Sequence, residues 1–453
     1  MRIIFDLDGT ITDFNCFIEK IALPYFKRKY RLDIVNLDKL EIEDILNMQP
    51  IFKKKYNCSD DEANEKKEKV LKKFWTRYFF QFLFVGRVRQ GVARFINEIR
   101  KEGFDVYICS SRAVASNTDL SGVIVRSFTK MQIWCSGIKV SNKNIRFYSS
   151  DIQKINGIKK LQPSVVVDDK TIILREFHKE NIPVIGIRAR HNQCLWNINS
   201  INWVQSFENS GIKEALRKAI GKNKYKYFIR AKKSDKIFNK IKFLSWIINL
   251  VFRPIILHKE NIILDESGGI IIAPNHRSTL DPLIITAILK RNIHYAALLR
   301  FFLEKDSIFN NSKNPILCKI TAWLFKKLEY FPIDRLCDNP NANNMGAIRD
   351  MLGFLSIGER VGIFAEGTTR RKEGQEFGNF DRSFIVLAKK TNSVVCPITV
   401  LWTGCKRNKI VVNFGKAFYV EEMTEDEAME KFMKIQREGL EENKRYMEKR
   451  DMR

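Results

Sequence analysis

Two short stretches concentrate the residue types that do chemistry. FDLDGTITD, residues 5–13, sets Asp6 and Asp8 one residue apart with Gly9 directly after them. If residues 3–7 form a strand, its alternate side chains share a face. Both carboxylates then project beyond the carboxyl end, where open parallel sheets bind ligands. Downstream, Ser110 follows the apolar VYIC, and the pair Asp168 and Asp169 follows SVVV. Clustered carboxylates are oxygen ligands for Mg²⁺, and that cation with a nucleophilic carboxylate equips a site for phosphoryl transfer. The second stretch, NHRSTLDP, places His276 five residues before Asp281. On a straight helix that spacing separates the side chains by about 140°, so they meet only if the backbone turns between them. Pro282 disfavours helical geometry at Asp281 and supplies the turn. His276 then becomes a general base toward a hydroxyl, with its ring oriented by Asp281.

The elements that must position these groups read as α/β. Residues 3–7, 104–109, 164–167 and 183–187 are expected strands, with helices such as 92–101 between them, the pattern of a doubly wound, Rossmann-like parallel sheet. A Lys-, Phe- and Tyr-rich insert over about 14–90 reads as a helical cap. Beyond it, strands are expected at 269–273, 362–364, 394–400 and 410–414, with a helix after Pro282 and a charged amphipathic tail opened by a capping box at Thr424 and Glu427. The expected organisation is a first domain over 1–210, a basic linker over 211–242, and a second α/β domain over 243–453 that begins with an apolar segment, 243–257.

Composition narrows the partners. With 79 Lys+Arg against 52 Asp+Glu over 453 residues, the formal charge is +27, which favours phosphate-rich partners: nucleic acid, anionic lipid or phosphorylated metabolites. A hydrophobic content of 45% excludes wholesale disorder. The nine cysteines form no CxxC pair and no zinc-spaced cluster. Asp6 and Asp8 stand where a signal peptide would need its apolar core, so a cytoplasmic location is expected. No apolar run reaches the roughly 18–20 residues that span a bilayer.

The first constellation resembles the haloacid dehalogenase-like phosphatases, whose leading motif is DxDGT after a strand; the likeness covers about residues 1–205. It implies Asp6 as the nucleophile, Asp8 as acid/base for the leaving group, Ser110 and Lys154 as phosphate-binding groups, and Mg²⁺ held by Asp6, Asp8, Asp168 and Asp169. For Lys154 a solvated helix lysine is the alternative, since Lys143, Lys159 and Lys160 stand close by in the sequence.

The second constellation resembles the lysophospholipid acyltransferases of the glycerophosphate type, over about residues 255–404. NHRSTLD matches the NHxxxxD motif, FPIDR brings Arg335 to pair with an acceptor phosphate, and FAEGTTRR supplies Glu366, Gly367 and Thr368 of the acceptor block. Pro397 matches a late proline block. Three positions depart from the pattern: the arginine usual after EGT is displaced to Arg370, the glycine before FPIDR is Glu329, and a later glycine is Ser383. The likeness implies transfer of a fatty acyl group to lysophosphatidic acid or a similar lysolipid, from coenzyme A or acyl carrier protein as thioester.

The basic residues 217–242 run straight into the apolar 243–257. Read together they are an interfacial anchor, with Lys and Arg on anionic headgroups and Phe243, Trp246, Ile247, Ile248, Leu250, Val251 and Phe252 dipping into the acyl region. No nucleic-acid-binding module stands beside this charge. The sequence therefore leads to a bifunctional enzyme, peripheral or monotopic on the inner face of the membrane. Its rivals are an acyltransferase with a non-catalytic N-terminal module and a basic membrane- or RNA-binding scaffold.

Overall fold

The computed structural model describes residues 1–13, 17–30, 53, 56–85, 87–208, 210–263, 268–305, 314–334, 343–368, 375–404 and 407–452. The chain divides into two compact units, Met1–Lys222 and Asn223–Arg453.

In the first unit six short strands, β1 (Arg2–Phe5), β4 (Asp105–Ser110), β5 (Ile145–Phe147), β6 (Val165–Asp168), β7 (Val184–Ile187) and β8 (Asn202–Val204), form one sheet in the order β5-β4-β1-β6-β7-β8. Every pairing is parallel. From β1 the chain goes first to one side and then, at β6, to the other, so the ends of β1, β4 and β6 flank the switch point at which such sheets bind ligands. The two remaining strands, β2 (Thr12–Asp13) and β3 (Arg87–Val88), pair antiparallel. They form a two-stranded stalk from which the insert leaves and to which it returns. Within the insert lie the helices α1 (Leu23–Tyr30) and α2 (Asp60–Val85), where Tyr25, Phe26, Phe74 and Tyr78 pack ring against ring. Around the sheet run α3 (Val92–Glu102), α4 (Leu120–Cys135), α5 (Asp151–Lys159), α6 (Thr171–Lys179) and α7 (Ser210–Ile220). Ile4, Ile158, Val166, Ile173, Leu174 and Phe177 fill a buried core.

The second unit has a seven-stranded mixed sheet. Its strands are β9 (Ile255–Leu257), β10 (Ile270–Pro274), β11 (His294–Leu298), β12 (Phe331–Ile333), β13 (Arg360–Gly362), β14 (Val394–Trp402) and β15 (Ile410–Phe414), in the order β12-β11-β13-β10-β14-β15-β9. Only β14 and β15 pair antiparallel. The unbroken apolar run of β10 has a direct cause: Ile270 and Ile272 enter the core on one face, Ile271 and Ala273 the core on the other. Its longer helices are α8 (Lys222–Ile241), α9 (Phe243–Phe252), α10 (Asp281–Leu289), α11 (Pro315–Lys327), α12 (Asn344–Leu355), α13 (Ser383–Thr391) and α14 (Glu425–Asp451), the last opened by the Thr424–Glu427 capping box.

The basic stretch 211–242 is helical, and both its helices bury apolar side chains: Ile212 and Leu216 in α7, Tyr227 and Phe238 in α8. The apolar segment 243–257 breaks in two. Arg253 adopts a left-handed φ of 42° and Pro254 follows, which ends α9, and residues 255–257 become the edge strand β9 beside β15. On α9, Phe243, Leu244, Trp246, Ile247, Leu250 and Val251 are exposed, whereas Ile248 and Phe252 turn inward onto the core. No described helix is long and apolar enough to cross a membrane.

Candidate active sites

At the end of β1, Asp6 is buried, and Lys154 of α5 reaches it from the neighbouring crossover. Lys154 Nζ donates to Asp6 Oδ1 at 2.5 Å and to Asp168 Oδ2 at 2.7 Å. Lys154 is wholly buried, while Lys159 pairs at the surface with Glu176 and Glu180. Asp169 accepts from Thr10 Oγ1 at 2.8 Å. Gly9, with φ of 89°, lets the loop pass so close that a Cβ there would lie 2.1 Å from Asp169 Oδ2. Ligand atoms of Asp6, Asp168 and Asp169 lie within 4.8 Å of one another. Burial pushes the Asp6 carboxyl well above the ordinary carboxylate range; Lys154 opposes that, and Asp168 and Asp169 add to it. Asp168 is raised for the same first reason. Burial works against the Lys154 ammonium, but Asp168 and Asp6 outweigh it and hold the lysine charged.

These residues fit a divalent cation. Asp6 Oδ2 is buried and has no hydrogen-bond partner, and three buried carboxylates offering oxygen atoms at this spacing are hard-cation chemistry. The Asp8 carboxylate lies outside that cluster. It accepts from Ser110 Oγ at 3.2 Å and, through both oxygens, from Arg112 Nε at 2.9 Å and Nη2 at 2.7 Å. Sequence reasoning does not single out Arg112, although it stands two residues beyond Ser110. Its Nη1 also donates to Thr129 of α4 at 2.8 Å.

In the second unit β10 ends at Pro274, and the chain turns before α10. Asn275 clamps the turn to β14, donating to Val400 O at 3.0 Å and accepting from Val400 N at 2.6 Å. The turn is closed by Asp281 N donating to Ser278 O at 3.0 Å. As the spacing required, it brings His276 Nδ1 to 3.0 Å from Asp281 Oδ2. That same oxygen accepts from the backbone N–H groups of Arg277 at 2.6 Å and Ser278 at 2.7 Å, and Asp281 Oδ1 accepts from Trp402 Nε1 at 2.7 Å. A carboxylate only accepts, so the imidazole proton sits on Nδ1 and Nε2 is the basic nitrogen. The His276 ring lies 4.2 Å from that of Phe364, centroid to centroid.

Residues 255–401 match the family model described as Acyltransferase. They form an acyltransferase domain. Comparison with curated proteins finds no match. Among solved structures, the chain is similar to the 1-acyl-sn-glycerophosphate (LPA) acyltransferase PlsC of Thermotoga maritima, at 18% identity over 50% of this chain and 82% of that one, with a TM-score of 0.32. It is also similar to a predicted phosphatase of Clostridium acetobutylicum, at 16% identity over 47% and 97% of the two chains, TM-score 0.33. CbbY of Rhodobacter sphaeroides, solved in complex with phosphate, shares 13% identity over 46% and 96% of the two chains, TM-score 0.30.

In the acyltransferase domain Glu366 is buried beneath His276: Oε1 accepts from His276 N at 2.9 Å and Oε2 from Gly378 N at 2.6 Å. Glu366 thus holds the histidine loop in place. Gly367 takes a φ of 61° and Thr368 is exposed beside it. Arg335 and Arg370 lie outside the described residues. Glu329 occupies a left-handed position, φ 57°, which a glycine would take without strain, and its carboxylate is gripped by Arg230 at 2.7 Å. Trp402 carries no sequence signal: it stands 121 residues from its partner Asp281.

Proposed function

We propose that this chain is a bifunctional enzyme of the membrane surface. Its acyltransferase domain moves a fatty acyl group from a coenzyme A or acyl carrier protein thioester to the free hydroxyl of lysophosphatidic acid, giving phosphatidic acid. Its N-terminal unit hydrolyses a phosphomonoester. The observation that carries the first half is the His276–Asp281 pair inside the matched domain. His276 Nε2 takes the hydroxyl proton as the oxygen attacks the thioester carbonyl; the C–S bond then breaks and the thiolate takes up that proton. No acyl-enzyme is needed. Arg335, Thr368 and Arg370 are assigned to the acceptor phosphate, and α9 to a lipid surface on the inner face of the membrane.

For the N-terminal unit, Asp6 attacks phosphorus and the P–O bond to the leaving group breaks as Asp8 protonates that oxygen; water, giving its proton to Asp8, then cleaves the aspartyl-phosphate and releases phosphate, and Lys154 holds Asp6 in place. Mg²⁺, held by Asp6, Asp168 and Asp169, would offset the charge that gathers on the phosphoryl oxygens. One observation favours the alternative, a non-catalytic N-terminal module: Arg112 engages both oxygens of Asp8, the atoms an acid/base group would turn to the leaving oxygen.

His276→Ala tests the first half. Acylation of lysophosphatidic acid by an acyl thioester, measured on purified protein in detergent, should fall by about 10³-fold; an unchanged rate sinks the reading. Asp6→Asn tests the second. Mg²⁺-dependent phosphate release should vanish while acylation persists, and a parent protein inert across a panel of phosphomonoesters leaves the alternative standing.

A further inference from the structure

Helix α4 shows apolar side chains on both sides. Val125, Thr129 and Ile133 face inward and are buried. Leu120, Val123, Ile124, Met131 and Trp134 face outward, and Leu120 and Trp134 are 75% and 76% exposed. At 100° per residue these five lie within an arc of about 100°, along about 21 Å of helix. Polar side chains would cover a face turned to water, and this one carries a single serine, Ser127, within the arc.

We propose that α4 is a lipid-docking helix of the N-terminal unit, and that this unit acts on a phosphomonoester carried on a lipid surface. The second clause rests on the phosphatase reading above; the first does not. Charge favours an anionic bilayer as the occupant: residues 120–150 contain Arg126, Lys130, Lys139, Lys143 and Arg146 and no Asp or Glu. Tryptophan at one end of the stripe suits the headgroup boundary. A second copy of the chain fits less well. A face about 21 Å long and one helix wide, about 10 Å, offers about 200 Å², against about 800 Å² per partner in a stable interface. An interfacial helix needs no more than such a face.

The inner side of α4 ties this surface to the chemistry. Thr129 accepts from Arg112, and Arg112 holds Asp8. The acid/base group therefore lies on the far side of α4 from the docking face, more than one helix diameter, about 10–12 Å, away and joined to it through Arg112.

The test uses the full chain and the double variant Met131→Glu, Trp134→Glu, both outward positions, with circular dichroism and thermal melting as the check on folding. Partition onto phosphatidylcholine vesicles containing phosphatidylglycerol should drop about tenfold, in the parent background and in Trp246→Glu, where α9 is weakened. Unchanged partition overturns the docking assignment. So does a parent that is dimeric in solution with a monomeric variant, which would give the face to a second copy. On phosphatidic acid in vesicles the variant should lose about tenfold in rate while keeping the parent's rate on soluble p-nitrophenyl phosphate. Equal loss on both substrates overturns the lipid-borne substrate. A parent inactive on both refutes the phosphatase reading and the substrate clause with it, and the partition result then decides docking alone.

Discussion

Asp281→Asn separates the geometry of the acyltransferase site from its charge. The wild-type carboxylate is fully buried and takes four donors: His276 Nδ1, two backbone N–H groups and Trp402 Nε1. An asparagine of the same shape offers one acceptor oxygen and two N–H donors. Turned to keep the three donors on the Oδ2 side, it sets its NH₂ against the Trp402 N–H, and one buried donor is left unmade at about 1–3 kcal/mol. The retained bonds lose the charge assistance that made them about twice as strong as neutral ones. A stability loss of about 3 kcal/mol follows. Activity should fall further, because the imidazolium formed as the hydroxyl loses its proton no longer faces a negative charge, and general-base catalysis is worth about 10²–10⁴-fold. The assay is thiol release from an acyl thioester with lysophosphatidic acid in detergent, alongside thermal melting. Trp402→Phe is the control: it removes one donor and leaves the charge, so it should cost about 1 kcal/mol and less than about tenfold in kcat. If Asp281→Asn keeps kcat within about threefold of the parent, the base-and-orienter reasoning is refuted.

Two further perturbations test the scaffold. Gly9→Ala forces a Cβ to 2.1 Å from Asp169 Oδ2 at a φ of 89°, so it should destabilise the N-terminal unit by about 3 kcal/mol and abolish phosphate release, both readable by melting and a phosphate assay. His294 is fully buried, with Nδ1 on Leu328 O at 2.9 Å and no partner for Nε2. Burial lowers its pKa, against smaller upward pulls led by Glu359. The unfolded chain therefore binds the proton first. Stability should be full above about pH 6.5 and fall by up to about 1.4 kcal/mol per pH unit below it, until the lowered folded pKa is reached. Denaturant titrations from pH 7 to 5 should show that slope, and His294→Phe should flatten it.

The parts of the site that are legible in the sequence are those set by neighbours along the chain. Asp6 and Asp8 follow a strand whose alternation is local, and Pro282 marks the turn that joins His276 to Asp281. Lys154 can be told from its neighbours only once β1 and β6 lie side by side, since burial selects it. Trp402 and Arg112 escape a reading of the sequence because tertiary approach, rather than spacing, makes them partners. The short edge strands β9 and β12, three residues each, escape it too, because a segment that short carries too little alternation to read. Within 243–257 the apolar run gives no sign that Ile248 and Phe252 face the core.

The β2–β3 stalk has a consequence for how this unit can change. Because Thr12 pairs with Val88, the two ends of the insert are clasped side by side. What lies between can be lengthened, trimmed or exchanged without displacing any strand of the parallel sheet. Arg89, the next residue, donates twice to the carbonyl of Gly9, at 3.1 and 2.8 Å, inside the loop that follows Asp6. The clasp is therefore also a lever. Through Arg89, a change in the insert would be felt at the loop that follows Asp6.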